Sequence, residues 1–123
     1  MTTQPSRAQL YAGIVLTLLP AGLLLFSASG KIMMAKDAVE GFLKFGFQES
    51  VIRPLGIVEA MCAILFLTPK TSFLGAILIT GYMGGAICTH MRSGEPFFIQ
   101  LMVGIVAWVG YGLRRPHVIK SAF

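Results

Sequence analysis

Four stretches of the chain are nearly unbroken runs of apolar residues: Leu10 to Phe26, Val51 to Leu67, Phe73 to Thr89 and Phe97 to Leu113. A helix needs roughly 20 such residues to cross the hydrocarbon of a bilayer. The pattern therefore predicts four spans, over about 10–29, 51–68, 73–90 and 97–113. The punctuation agrees. Pro54 falls in the first turn of the second run, where a missing N–H does no harm. Thr68, Pro69 and Lys70 part the second run from the third, Ser93, Gly94 and Pro96 part the third from the fourth, and Arg114, Arg115 and Pro116 close the last. Pro20, inside the first run, deprives Leu16 of its helical hydrogen-bond donor and predicts a bend. The same run follows Arg7 and ends in Ser27, Ala28, Ser29 and Gly30, which is also the outline of an export signal. With Pro20 in it, the run is read here as a kinked span that is retained.

Between the first two runs, Lys31 to Ser50 is too polar to cross a bilayer and too apolar for a free loop. On a helix, Ile32, Ala35, Ala38, Val39, Phe42 and Leu43 fall on one side and Lys36, Asp37, Glu40 and Lys44 on the other, with Met33 the misfit. An amphipathic helix over about 31–48 is expected, lying in the interface or packed over the mouth of the spans. The fold class expected is an all-α membrane protein, an antiparallel four-transmembrane-helix bundle with this amphipathic helix between the first and second spans. Residues 1–123 form one transmembrane domain on this reading.

Composition sharpens this picture. Charged residues make up only 12% of the 123, against roughly a quarter in soluble domains, so there is too little charge to coat a water-soluble globule. A net charge of +5 raises nucleic acid as a partner. Binders of nucleic acid cluster their cations on one soluble face, whereas here the cations flank apolar runs, so no nucleic-acid partner is expected. Arg7, Lys70, Arg114, Arg115 and Lys120 fall on the side of the termini, and Lys31, Lys36, Lys44, Arg53 and Arg92 on the other. The count ties. Because Arg114 and Arg115 abut a span, while the opposite cations alternate with Asp37, Glu40, Glu49 and Glu95, both termini are expected in the cytoplasm.

One residue stands out chemically. Glu59 lies well inside the second run, where a carboxylate costs about 2.5–3.5 kcal/mol to insert, so it should face other helices and find a partner or carry a proton. Gly56, Cys62 and Ala63, one turn away on either side, are small and admit a neighbouring helix. Antiparallel order places the end of the first span (Ser27, Ser29, Lys31), the start of the second (Arg53, Glu59), the end of the third (Cys88, Thr89, His90, Arg92) and the start of the fourth (Glu95, Gln100) in one half of the membrane. The other half has almost no polar groups. A small polar pocket is expected there, with Glu59 at its floor and His90, Lys31 and Arg53 nearer its mouth; these four are the candidate ligand-binding residues. His117 lies on the opposite face from His90, so the three or four converging ligands of a metal site are not expected. The third run carries a stripe of small residues, Ala76, Thr80, Gly84 and Cys88 beside Gly81, Gly85 and Thr89, in which Gly81 and Gly85 make a Gly-x-x-x-Gly pair; it is read as a packing seam between the spans, with a dimer face as the alternative. Cys62 and Cys88 sit at different depths, which argues against a disulfide.

Ser29-Gly30-Lys31 closing the first span, Gly56-x-x-Glu59, Thr68-Pro69-Lys70, Gly75-Ala76, and Gly84-Gly85-Ala86 leading into Thr89-His90-Met91-Arg92 follow one another in an order that resembles the DoxX-like family of small four-helix membrane proteins. The resemblance covers roughly Gly13 to Leu113. It implies an inner-membrane protein in a quinone-linked redox setting, with Lys31, Glu59 and His90 as the polar positions to watch. No redox-active cysteine pair or intramembrane histidine pair is present, so no catalytic residues are assigned. The leading expectation is a non-catalytic subunit or accessory protein of a redox system, its polar pocket holding a quinone or another small amphiphile. Its expected partners are the bilayer, an oxidoreductase subunit and a second copy of the chain. The alternative is a small proton-coupled transporter using Glu59. A third is an intramembrane enzyme acting on a lipid or sterol, with Glu59 and His90 as acid and base.

Overall fold

The computed structural model describes residues 4–121. Helix α1 (Arg7–Ile32) begins at a reciprocal cap in which the Gln9 amide donates to Ser6 Oγ at 3.1 Å and the Ser6 amide to Gln9 Oε1 at 2.9 Å, satisfying two donors that a helix start otherwise leaves free. It runs without interruption through Pro20 and stops where Met34 takes a positive φ of 55°. α2 (Lys36–Lys44) is short, and a single 3₁₀ turn, Glu49–Val51, leads into α3 (Ile52–Leu67). A second 3₁₀ turn, Pro69–Thr71, joins α3 to α4 (Ser72–Arg92); α5 (Phe98–Arg114) and a terminal turn of helix, α6 (Pro116–Ser121), complete the order.

α1 packs against α3 and α5, and α4 packs against the same two. The start of α1 meets the end of α5, where a Cβ on Gly110 would stand 2.8 Å from the carbonyl carbon of Leu16 and 2.9 Å from its oxygen. That is the carbonyl Pro20 leaves without its helical donor, and the glycine lets the α5 backbone close over this turn of α1. The common core is Ala21, Leu24, Cys62, Ala63, Phe66, Ala76, Ile79, Met83, Val103, Ala107 and Tyr111. Leu18, Leu19, Phe26, Met61, Ile64, Ile99 and Met102 point outward and are exposed, Phe26 by 79%. A surface this apolar calls for lipid rather than water around it.

Among the described residues, three stretches are long and apolar enough to cross a membrane: Arg7–Ile32, Glu49–Leu67 and Pro69–Arg92. The fourth expected span is the apolar helix Phe98–Arg114, of 17 residues, about 25 Å at 1.5 Å per residue and so below the thickness of a typical hydrocarbon core.

Three expectations change. The amphipathic helix is confined to Lys36–Lys44, because α1 carries on through Lys31 before the chain turns; Lys31 therefore belongs to a long apolar helix. The seam of α4 is Ser72, Gly75, Ala76, Ile79 and Met83; Gly81, Gly84 and Gly85 are exposed and have nothing within 4 Å of an added Cβ. Finally, the half of the molecule expected to lack polar groups holds a buried knot. Arg114 Nε donates to Thr17 Oγ1 at 2.9 Å and its Nη2 to Ser72 Oγ at 3.0 Å, while Ser72 Oγ donates to the Phe66 carbonyl at 2.8 Å. The Arg114 guanidinium also lies over the rings of Phe66 and Tyr111, at 5.7 and 5.6 Å. Arg114 folds back along the helices instead of reaching outward as an anchor.

Candidate functional site

At the opposite end from Arg114, Lys31 in the last turn of α1 reaches Glu59 on α3. The Lys31 ammonium donates to Glu59 Oε1 at 2.8 Å, with the side chains only 11% and 3% exposed. A charge in an apolar interior needs a partner in good geometry and further hydrogen bonds for its remaining protons and lone pairs. Ser27 Oγ, one turn back on α1, accepts a second bond from the ammonium, and the Phe42 ring lies 5.5 Å from it. From α4, Tyr82 lines the same cavity as Glu59.

The meeting depends on Gly56, one turn before Glu59. A Cβ there would stand 2.7 Å from Lys31 Cβ and 3.0 Å from the Ala28 carbonyl oxygen, so only glycine lets α1 and α3 approach this closely. Gly56→Ala is expected to destabilise the protein by about 1–3 kcal/mol, the usual cost of forcing extra volume into a packed contact, read as a lower melting temperature in detergent. Gly84→Ala, with open space around its Cβ, should leave the melting temperature unchanged.

The ion pair borders a cavity of about 380 Å³. Its floor and walls come from Ser27, Lys31, Leu55, Glu59, Tyr82 and Met83, and its other end from Ala86, Thr89, His90 and Gln100. Phe42, Phe45 and Phe47, from α2 and the turn after it, cover it. This cover is tied down: Arg92 Nη2 donates to the Phe45 carbonyl at 2.7 Å, and the Phe45 ring packs on His90 with centroids 4.8 Å apart. His90 Nδ1 stands 2.7 Å from the Ala86 carbonyl oxygen, a contact that requires the proton on Nδ1; Nε2 is then left as an acceptor facing Gln100 Nε2 at 3.4 Å.

Of the four residues expected at the site, Glu59, Lys31 and His90 line this cavity. Arg53 does not. It is exposed, and its Nε donates to the Ile32 carbonyl at 2.9 Å, because a long cation in the first turn of α3 reaches the free carbonyls ending α1 more readily than the interior. Tyr82, Phe45 and Phe47 were passed over in the sequence, whereas Phe42 was among the apolar residues of the helix expected in the interface or over the mouth. Tyr82 carried a usable signal: it lies eight residues, just over two helical turns, before His90, and so on much the same face of its helix. Cys62 and Cys88 are free thiols, the first buried and the second exposed.

Apolar helices that present their side chains to lipid while enclosing an ion pair, a tyrosine and an aromatic cover define a helical membrane protein with an internal polar cavity. The model of the DoxX-like family matches residues 15–111, which takes in every helix that builds the cavity, and the chain belongs to that family. No curated protein and no solved structure matches it.

Proposed function

We propose that the chain is a non-catalytic subunit or accessory protein of a quinone-linked redox system in the inner membrane, holding a quinone or a similar small amphiphile in the Glu59 cavity. The observation that carries this reading is the buried Lys31–Glu59 pair at 2.8 Å beside a cavity of about 380 Å³ covered by three phenylalanines. The space suits a single substituted ring, which aromatic side chains can stack against. The donors suit it too: the Lys31 ammonium and the Tyr82 hydroxyl can bond a ring oxygen, and His90 and Gln100 meet the ring's other end. When bound, a quinone supplies two-electron, two-proton chemistry, which a partner subunit would drive. This chain's residues would orient the ring, keep water from it and hold its oxygens.

In this reading residues 1–123 form a single domain whose four long helices cross the bilayer antiparallel, with α2 in the interface and both termini in the cytoplasm. α5 spans by local thinning of the bilayer, with Arg115 and Lys120 at the headgroups. A second copy of the chain is a further partner. The transporter alternative draws no support from the site, since a carboxylate already neutralised by a lysine 2.8 Å away is poorly placed to trade protons for a cation.

The test is mass spectrometry of the protein gently extracted from its own membranes, wild type against Glu59→Gln. Quinone and an oxidoreductase subunit are expected with the wild type, and the quinone is expected to be absent from the variant. Wild-type protein carrying neither would sink the proposal.

A further inference from the structure

Residues 33–51 differ from the rest of the molecule in how they are held. None of them is buried, although they include α2 and the phenylalanines that cover the cavity. Segments with few buried apolar contacts open at the lowest free energy, and the parts of a protein that move to admit ligands are drawn from them. The two ends of this segment are pinned together, because Arg53 Nε donates to the Ile32 carbonyl at 2.9 Å. Its length is jointed. Met34 and Gly46, on either side of α2, take positive φ values of 55° and 90°, so α2 joins its neighbours through turns instead of continuous helix, and residues at such ends absorb the rotation when a segment swings.

The tip of the segment, at Phe45 and Gly46, is fastened to the end of α4. Arg92 Nη2 donates to the Phe45 carbonyl at 2.7 Å, and the Phe45 ring rests on His90. A second polar tie, Lys44 to Glu95 at 3.8 Å, joins side chains that are 78% and 41% exposed, and a pair so exposed contributes little. The Arg92 bond is therefore the main polar hold on the tip. Arg92 itself does not line the cavity.

We propose that residues 33–51 are a flap and Arg92 its latch. When Arg92 releases the Phe45 carbonyl, the segment lifts about its pinned base, with Met34 and Gly46 as joints, and carries the phenylalanines off the cavity. An amphiphile then passes between the headgroup region, where an amphipathic helix such as α2 lies, and the Lys31–Glu59 pair. This rests on the amphiphile-pocket reading above and adds to it the route of entry and the residue that controls it. Since Arg92 stands outside the cavity, it governs how fast the occupant exchanges and leaves its affinity alone.

The experiment uses the full chain in lipid nanodiscs, with Cys62→Ala and Cys88→Ala removing the native thiols and Ala86→Cys placing one in the cavity wall. A charged, water-soluble methanethiosulfonate then reports how often the flap stands open. Arg92→Leu is expected to speed its modification about fivefold, the effect of one lost hydrogen bond on the open fraction. Amide hydrogen exchange should quicken by the same factor in residues 36–47 and stay unchanged in α3 and α4. With decylubiquinone as the probe, association and dissociation should both quicken about fivefold at an unchanged Kd. Modification no faster in Arg92→Leu would overturn the flap, as would exchange quickened equally in every helix, the mark of general destabilisation. A weaker Kd at unchanged association would overturn the latch and place Arg92 among the binding groups. Faster modification with no decylubiquinone bound to either protein would uphold the flap and overturn the amphiphile pocket.

Discussion

Glu59→Ala is expected to cost about 3–5 kcal/mol, the usual loss when one member of a buried ion pair is removed. The Lys31 side chain would stay only 11% exposed, with Ser27 Oγ and the Phe42 ring left to face its charge. The loss should appear as a large drop in melting temperature in detergent, together with loss of any copurifying amphiphile. A double variant, Lys31→Met with Glu59→Leu, separates the two effects. Replacing both charges by apolar groups of similar size is commonly neutral or stabilising, so the melting temperature should return to the wild-type range while the amphiphile stays absent. A double variant that binds as well as wild type would reduce the pair to a structural element and remove the site.

The second large effect is expected at the other pole. Arg114→Leu removes the donors to Thr17 Oγ1 and Ser72 Oγ and the cation that lies over Phe66 and Tyr111, so residues from α1, α3, α4 and α5 lose a common partner. Hydrogen bonds from a charged donor are worth about 1.5–3 kcal/mol each, and the stacked rings add to them. The buried hydroxyls retain partners of their own, Thr17 donating to the Gly13 carbonyl and Ser72 to the Phe66 carbonyl. A net loss of about 2–3 kcal/mol is therefore expected, with binding at the distant cavity unchanged wherever the protein remains folded. Arg115→Leu, which gives up one bond to the Pro69 carbonyl at 3.3 Å, should cost at most about 1 kcal/mol. Equal effects of the two variants would show that Arg114 is an interfacial anchor after all.

The two poles differ in how far they could be read from the residues alone. Helix ends were legible because prolines, glycines and cations interrupt the apolar runs, and alternating chain direction then placed Lys31, Glu59 and His90 together. The choice of partner for Glu59 was not legible. Lys31, Arg53 and His90 all fall in the same half, and the pairing turns on the contact at Gly56, which brings the α1 side chain inward while Arg53 lies along the outside. α2 proved shorter than its amphipathic pattern, since the pattern continues into residues that α1 had already claimed.

Sequence by itself determined that these helices live in lipid, where the chain turns, and which half gathers most of its ionisable groups, because apolar length and interruption are local properties. Tertiary structure decided which faces pack, that Arg114 is drawn inward, that Tyr82 lines the cavity beside the ion pair, and that Gly81 and Gly85 are exposed. The reason is physical. Lipid is as apolar as the interior of the packed helices, so the buried and lipid-facing sides of a helix look alike in hydropathy, and only the shapes of opposing side chains tell them apart.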